Sequence, residues 1–239
     1  GKDAREAVVI PVANEFSLRF RAWAEDNRRT VEKMTGGKIG YVHVPDTGGG
    51  GWREFNRYFY AQTDKQGLVV DDRFNHGGYV ADYFVREMIK PVVYGSRTRY
   101  GKDWTIPSGI YGPKVMLANE MAGSGGDIFP HLFQIHKVGK VVGKRTWGAM
   151  ISSYSFGLVD GGSVNSPDDA IYDPVKGEWV IEGYGTAPDI EVELDPYLWR
   201  QGRDAQLEAA IAQVMKELPK WKRPLQKRPE YPDKSKVKG

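Results

Sequence analysis

Apolar residues recur along this chain at two spacings, and the two alternate. Between 17 and 34, Phe20, Trp23, Asn27, Val31 and Met34 fall three and four apart, as one face of a helix does, and Gly36-Gly37 stop it. Residues 38–44 alternate like a strand and end at Pro45-Asp46 and a run of glycines. A second helix fits 53–65, with Phe55, Tyr58, Phe59 and Gln62 on one side, followed by a strand at 67–74 that turns charged at its end. Residues 79–89 read as a helix, 91–94 as a short strand and 95–111 as irregular. A strand at 114–119, a helix at 124–136 and a strand at 140–143 follow. This alternation predicts βαβ units and a mostly parallel sheet. From 151 to 195 the pattern changes to short runs broken by Gly161-Gly162, Pro167-Asp168 and Lys176-Gly177, as hairpins require. An amphipathic helix at 204–218 closes the unit, with Leu207, Ile211, Val214, Met215 and Leu218 on one face and Asp204 as N-cap.

Three stretches follow from the pattern. Residues 1–14 contain an apolar run at 5–13 that reads as the trailing strand of a preceding unit, 15–218 form the main unit, and 219–239 are a basic tail rich in proline. The net charge is +3, but residues 216–239 hold nine Lys/Arg against three Asp/Glu, so the remainder is negative. Basic residues confined to such a tail, without a folded basic face, argue against nucleic-acid binding. Cysteine is absent, which excludes disulfides, thiolate metal sites and a cysteine nucleophile. No apolar run approaches the roughly 20 residues of a membrane span.

Candidate chemistry sits in two glycine loops at strand ends, where α/β folds place their sites. In the first, Ser124 lies between Gly123 and Gly125-Gly126, after an apolar strand and before a helix. Glycines permit a sharp turn there, and a serine on it presents its hydroxyl beside backbone N–H donors. The plainer alternative is that Ser124 is the N-cap of the helix. The second loop is Asn75-His76-Gly77-Gly78. Two such loops on neighbouring strands can aim N–H groups at one point, as an oxyanion hole needs. His76 is a candidate base because of its place in that loop; His131 is about two helical turns from Ser124, His136 lies further on, and His43 lies within a strand. Glu182 ends a short run before a glycine turn, where a carboxylate either orients a base or is simply solvated.

Taken in order, Val69-Val70-Asp71-Asp72-Arg73-Phe74-Asn75-His76-Gly77-Gly78, Ala122-Gly123-Ser124-Gly125-Gly126-Asp127, Gly143-Lys144-Arg145-Thr146-Trp147-Gly148, Gly185-Thr186-Ala187-Pro188-Asp189-Ile190 and Asp204-Ala205-Gln206-Leu207-Glu208 resemble the tail-specific protease family of serine peptidases. The resemblance runs from about residue 15 to 218. It implies an α/β fold of the ClpP/crotonase-like kind, with stacked ββα units, a hairpin-rich C-terminal part and a closing helix. One branch of the family uses a Ser–Lys pair whose lysine follows the Thr-aromatic-Gly motif. That position is Ala149 here, and Lys144 precedes the motif. The chain is more similar to the tricorn branch, with its Ser, Ser, His and Glu tetrad.

By that resemblance Ser124 is the nucleophile, Glu182 the tetrad glutamate, and the N–H groups of Gly77 and Gly125 the oxyanion donors. Gly125 stands where the branch has Asp, a change that leaves a backbone donor in place. The second Ser and the His would come from an upstream segment ahead of a PDZ-like domain. No segment of these 239 residues matches it, so the chain alone is expected to be nearly inactive. The resemblance further implies peptide substrates, no metal or other cofactor, a homohexamer and, weakly, a cytoplasmic location. It does not transfer a preference for basic side chains, because 94–100 carries no acid. Two alternatives stay open: an acyl-CoA enzyme of the same fold, and a catalytically inactive peptide-binding scaffold.

Overall fold

The computed structural model describes residues 5–101, 103–222, 229–231, 233 and 235. In chain order the elements are α1 (Phe16–Met34), β1 (Ile39–His43), α2 (Gly49–Tyr60), β2 (Gly67–Asp71), α3 (Ala81–Ile89), β3 (Tyr94–Arg97), β4 (Asp103–Ile106), β5 (Lys114–Ala118), α4 (Gly125–Ile135), β6 (Gly139–Gly143), β7 (Ser152–Gly157), β8 (Ser163–Asp169), β9 (Tyr172–Asp173), β10 (Glu178–Trp179), β11 (Ile190–Glu191), α5 (Pro196–Arg200) and α6 (Ala205–Glu217). Five strands make one sheet in the order β1-β2-β5-β6-β11, and every pairing in it is parallel.

The inner strands β2 and β5, and the edge strand β1, are buried along their whole length, as expected when helices cover both faces of a parallel sheet. Strand alternation divides their side chains between two cores. Val42, Leu68, Val70, Met116 and Val141 meet Phe55, Phe59, Phe84, Phe129 and Phe133 of α2, α3 and α4. Tyr41, Val69, Val115, Leu117 and Val142 meet Val31 of α1 and Leu207, Ile211 and Val214 of α6. The open edge of β1 is covered by Gln62, whose Oε1 accepts from Tyr41 N–H at 3.1 Å and whose Nε2 donates to Tyr41 O at 2.9 Å. That satisfies backbone groups that would otherwise be left unpaired in the interior.

Several expectations need correction. Residues 5–13 pair with no strand among the described residues, where Val8, Val9 and Ile10 are exposed. Strand pairing begins at Tyr94 instead of Pro91, and β3 runs antiparallel to β4 through a region expected to be irregular. Helix α2 starts at Gly49, four residues early, because the Asp46 carboxylate accepts the N–H groups of Gly48 at 2.8 Å and Gly51 at 2.9 Å and so caps three glycines into a helix. The predicted N-cap of α6 is as expected: Asp204 Oδ1 accepts Leu207 N–H at 2.9 Å. Much of the basic tail, 223–228, 232, 234 and 236–239, lies outside the described residues.

Candidate active site

Parallel strands bring their C-terminal ends to one edge of the sheet, so the loops after β1, β2, β5 and β6 become neighbours. Backbone bonds then knit them together. Thr47 N–H donates to Gly77 O at 2.8 Å, His76 N–H to Pro45 O at 3.1 Å, and Gly123 N–H to Asn75 O at 3.1 Å. The two glycine loops therefore meet, as their positions in the sequence predict.

Ser124 stands at the turn from β5 into α4 with φ 57° and ψ −117°, a conformation that costs a non-glycine residue on the order of 1–3 kcal/mol. Its carbonyl accepts Asp127 N–H at 2.8 Å and Ile128 N–H at 3.1 Å, which offsets part of that cost. Ser124 occupies the N-cap position of α4, as the plainer alternative expects, but its side chain makes no capping bond. Gly77 lies directly against it, since a Cβ at position 77 would sit 2.7 Å from Ser124 Cβ and 3.1 Å from Ser124 Oγ. Gly125 is packed as tightly: a Cβ there would lie 1.8 Å from Thr47 Oγ1 and 2.3 Å from Gly78 O. In this backbone the two loops approach each other closely around Gly125. Neither Gly125 N–H nor Gly78 N–H has an acceptor among the described residues. Gly77 N–H donates to Asn75 Oδ1 at 2.8 Å.

Asp127, three residues after Ser124, was not singled out from sequence. Its carboxylate accepts the hydroxyl of Thr146 and the N–H groups of Gly148 at 2.7 Å and Ala149 at 3.2 Å; the nearby Ser124 N–H also acts to lower its pKa. Burial pushes its pKa up, against the lowering effect of these donors. The signal was available: Ser-x-x-Asp is the pattern of a capping box. Here the box is half made. Asp127 lies near the serine backbone N–H, and the serine hydroxyl has no hydrogen-bond partner among the described residues.

The strand-like strap after Thr146 leads on to Glu182. Its Oε2 accepts Met150 N–H at 2.6 Å and Ile151 N–H at 2.8 Å, and the next residue's N–H, from Gly183, donates to Gly148 O at 2.8 Å. Glu182 is exposed and does not hydrogen-bond Ser124. Ala149, where the other branch has lysine, ends at Cβ, while Lys144 is taken up by Glu191 at 2.6 Å and Glu193 at 2.5 Å.

No histidine hydrogen-bonds Ser124 among the described residues. His43 is buried between Phe20 and Trp23, its Nε2 lies 3.1 Å from Arg73 O, and burial lowers its pKa. His76 is exposed, with only its backbone tied down. His131 is half-buried, which lowers its pKa, and His136 is exposed. Behind the site Arg73, fully buried, binds Asp71 at 2.7 Å and the α6 cap Asp204 at 2.8 Å. Burial alone would raise the Asp71 pKa, but Arg73 holds it below the ordinary value. This pairing was not anticipated: its partners are 131 residues apart.

A family model described as peptidase family S41 matches residues 38–192. The chain belongs to this family. It is similar to the tricorn protease of Thermoplasma acidophilum, 35% identical over 231 residues, covering 96% of this chain and 22% of that one. It is likewise similar to tricorn protease homolog 1 of Streptomyces coelicolor, 38% identical over 223 residues, covering 89% of this chain and 20% of the relative. The crystal structure of the tricorn protease superposes with a TM-score of 0.85 at 35% identity, over 92% of this chain and 22% of that one. The S41 chain therefore spans about a fifth of the length of these relatives, and the α/β fold expected from the resemblance is the one found. No helix among the described residues is long and apolar enough to cross a membrane.

Proposed function

We propose that the protein containing this S41 chain hydrolyses peptide bonds through an acyl-enzyme, acting as an endopeptidase or in a carboxypeptidase-like manner, with Ser124 as nucleophile. The observation that carries this reading is the backbone of Ser124: φ 57° at the head of α4, with the hydroxyl left out of the cap. A strained serine with a free hydroxyl, packed against a second glycine loop, is the arrangement acyl transfer needs. Gly125 N–H and an N–H of the Gly77-Gly78 turn then hold the oxyanion. Gly77, the donor expected by resemblance, would have to share its N–H with Asn75. Glu182, clasped by the 150–151 backbone, orients the machinery that activates the serine.

The base comes from outside these residues. The tricorn resemblance supplies an upstream segment with a Ser and a His, ahead of a PDZ-like domain, and a hexameric assembly of the whole protein. A serine hydroxyl without a base is a weak nucleophile, so the chain alone is expected to hydrolyse peptides at close to the background rate.

The test compares the full-length protein, its Ser124→Ala variant and the isolated chain on a fluorogenic peptide. Ser124→Ala should lose roughly 10³-fold or more in kcat. Undiminished turnover in that variant would sink the serine assignment. A robust rate from the chain alone, lost in His76→Ala, would make His76 the base.

A further inference from the structure

Trp147 is 69% exposed, yet the backbone that carries it is held on both sides. Thr146 before it is buried; its N–H donates to Thr186 O at 3.0 Å, and its Oγ1 accepts Thr186 N–H at 2.8 Å. Trp147 N–H donates to Ala122 O at 2.9 Å. Gly148 after it donates its N–H to Asp127 Oδ1 at 2.7 Å. Gly148 has φ 85°, a conformation open to glycine, and a Cβ there would lie 2.5 Å from Gly185 N. A large ring on a fixed backbone loses little freedom when a ligand covers it.

The ring itself lies one residue from the nucleophile. A Cβ on Gly123 would stand 2.7 Å from Trp147 Cε3, 3.5 Å from Cζ3 and 3.6 Å from Cδ2. All three atoms belong to the six-membered ring of the indole. That ring therefore rests against Gly123, in a place from which a side chain at 123 would displace it. Gly123 O in turn faces Gly77, 3.1 Å from where a Cβ on Gly77 would stand. Gly123 is thus flanked by the indole and by the second glycine loop. Single exposed apolar side chains are common and mean little. This one adjoins the reacting serine. Ala122, whose carbonyl holds Trp147 N–H, also follows Met121, which is exposed. Apolar surface and nucleophile are therefore presented on one short length of chain.

We propose that Trp147 is a specificity-determining residue of the peptidase: its exposed indole forms one wall of the subsite for the substrate side chain next to the scissile bond, and it selects large apolar side chains. This rests on the reading of Ser124 as nucleophile. A Leu or Phe side chain laid on the indole removes apolar surface of both from water. A Ser or Asp side chain there loses hydration and gains no partner in return.

The experiment uses the full-length protein and internally quenched peptides carrying Leu, Phe, Ser or Asp before the scissile bond, with a second set carrying the same four after it. In the parent, Leu and Phe should exceed Ser and Asp in kcat/KM by roughly tenfold or more at one of the two positions. Trp147→Ala should lower kcat/KM for those Leu and Phe peptides at least about tenfold more than for the Ser peptide, chiefly through KM. Trp147→Phe, which keeps a ring, should retain most of the preference. A purely structural Trp147 predicts an equal loss on all four peptides with a lower melting temperature. That result, or an unchanged preference in a folded Trp147→Ala, would overturn the proposal. If Trp147→Ala does not fold, Trp147→His decides: a reduced preference supports the wall, and an unchanged one overturns it. Turnover surviving in Ser124→Ala is a separate failure, since it removes the serine reading and the place of the wall with it.

Discussion

Gly125→Ala places one methyl group at the narrowest point between the two glycine loops. The new Cβ would lie 1.8 Å from Thr47 Oγ1, 2.3 Å from Gly78 O and 2.8 Å from Gly78 N. A threonine hydroxyl can rotate away, but Gly78 O and N are backbone. They are anchored in turn by Thr47 N–H to Gly77 O at 2.8 Å and Val80 N–H to Thr47 O at 2.9 Å. Relief of the overlap therefore requires the loops to part by about 1 Å, and a displacement of that size at a reacting centre costs roughly 10²-fold in rate. Overpacking of this kind also costs about 1–3 kcal/mol of stability. The assay is kcat and KM of the full-length protein on a fluorogenic peptide, with a denaturant melt alongside. Gly157→Ala is the control, since nothing lies within 4 Å of its added Cβ, and it should change neither rate nor stability. Thr47→Ala added to Gly125→Ala should restore little, because the contact with Gly78 O remains. Full turnover in Gly125→Ala would refute the claim that the closeness of the two loops matters to the chemistry.

Arg73→Met leaves Asp71 buried with its cation removed, and should cost about 3–5 kcal/mol in a denaturant melt. The pH dependence carries a sign: in the parent the Asp71 pKa is depressed, so its contribution is present above about pH 4 and lost as the pH falls through the folded-state value. In the variant burial is unopposed and raises that pKa, so stability is lost as the pH rises; the gap between the two proteins should widen from pH 4 to 7, and a constant gap would count against the assignment. Glu182→Gln removes the charge that Met150 and Ile151 N–H groups hold, and should lower kcat at least about tenfold while melting shifts by no more than roughly 1 kcal/mol. Asp127→Asn gives up acceptor capacity facing Gly148, Ala149 and Thr146, and should cost about 1–3 kcal/mol together with turnover; a variant with parental melting would remove Asp127 from the scheme.

How far the sequence reveals this molecule depends on the range of the interactions. The sheet was legible because burial on two faces leaves long apolar runs such as Val115-Met116-Leu117, and the glycine loops were legible because strand ends need punctuation. Helix α2 was misjudged at its start, since Gly49-Gly50-Gly51 reads as a loop until Asp46 is seen to cap it. The β3–β4 hairpin was missed because Tyr94 to Arg97 is mostly exposed and offers no alternation to read. Within the site Ser124 and its glycines stood out, but Asn75, Thr47 and Arg73 did not. Their roles include cross-loop contacts with residues 30 or more positions away, which local sequence does not announce. Asp127 could have been found from the half-made capping box.

That half-made box also explains how Ser124 and Glu182 come to be mechanically linked without touching. Four consecutive backbone N–H groups are divided between two carboxylates. Gly148 and Ala149 donate to Asp127, and Met150 and Ile151 donate to Glu182. Asp127 also lies close to the N–H of Ser124, which acts to lower its pKa. The strap 148–151 is therefore a single length of backbone bound to Asp127 at one end and to Glu182 at the other. A side chain at position 149 would project from the middle of it, and the Ser–Lys branch carries its base there. With alanine at that position, no side chain long enough to reach Ser124 projects from the middle of the strap.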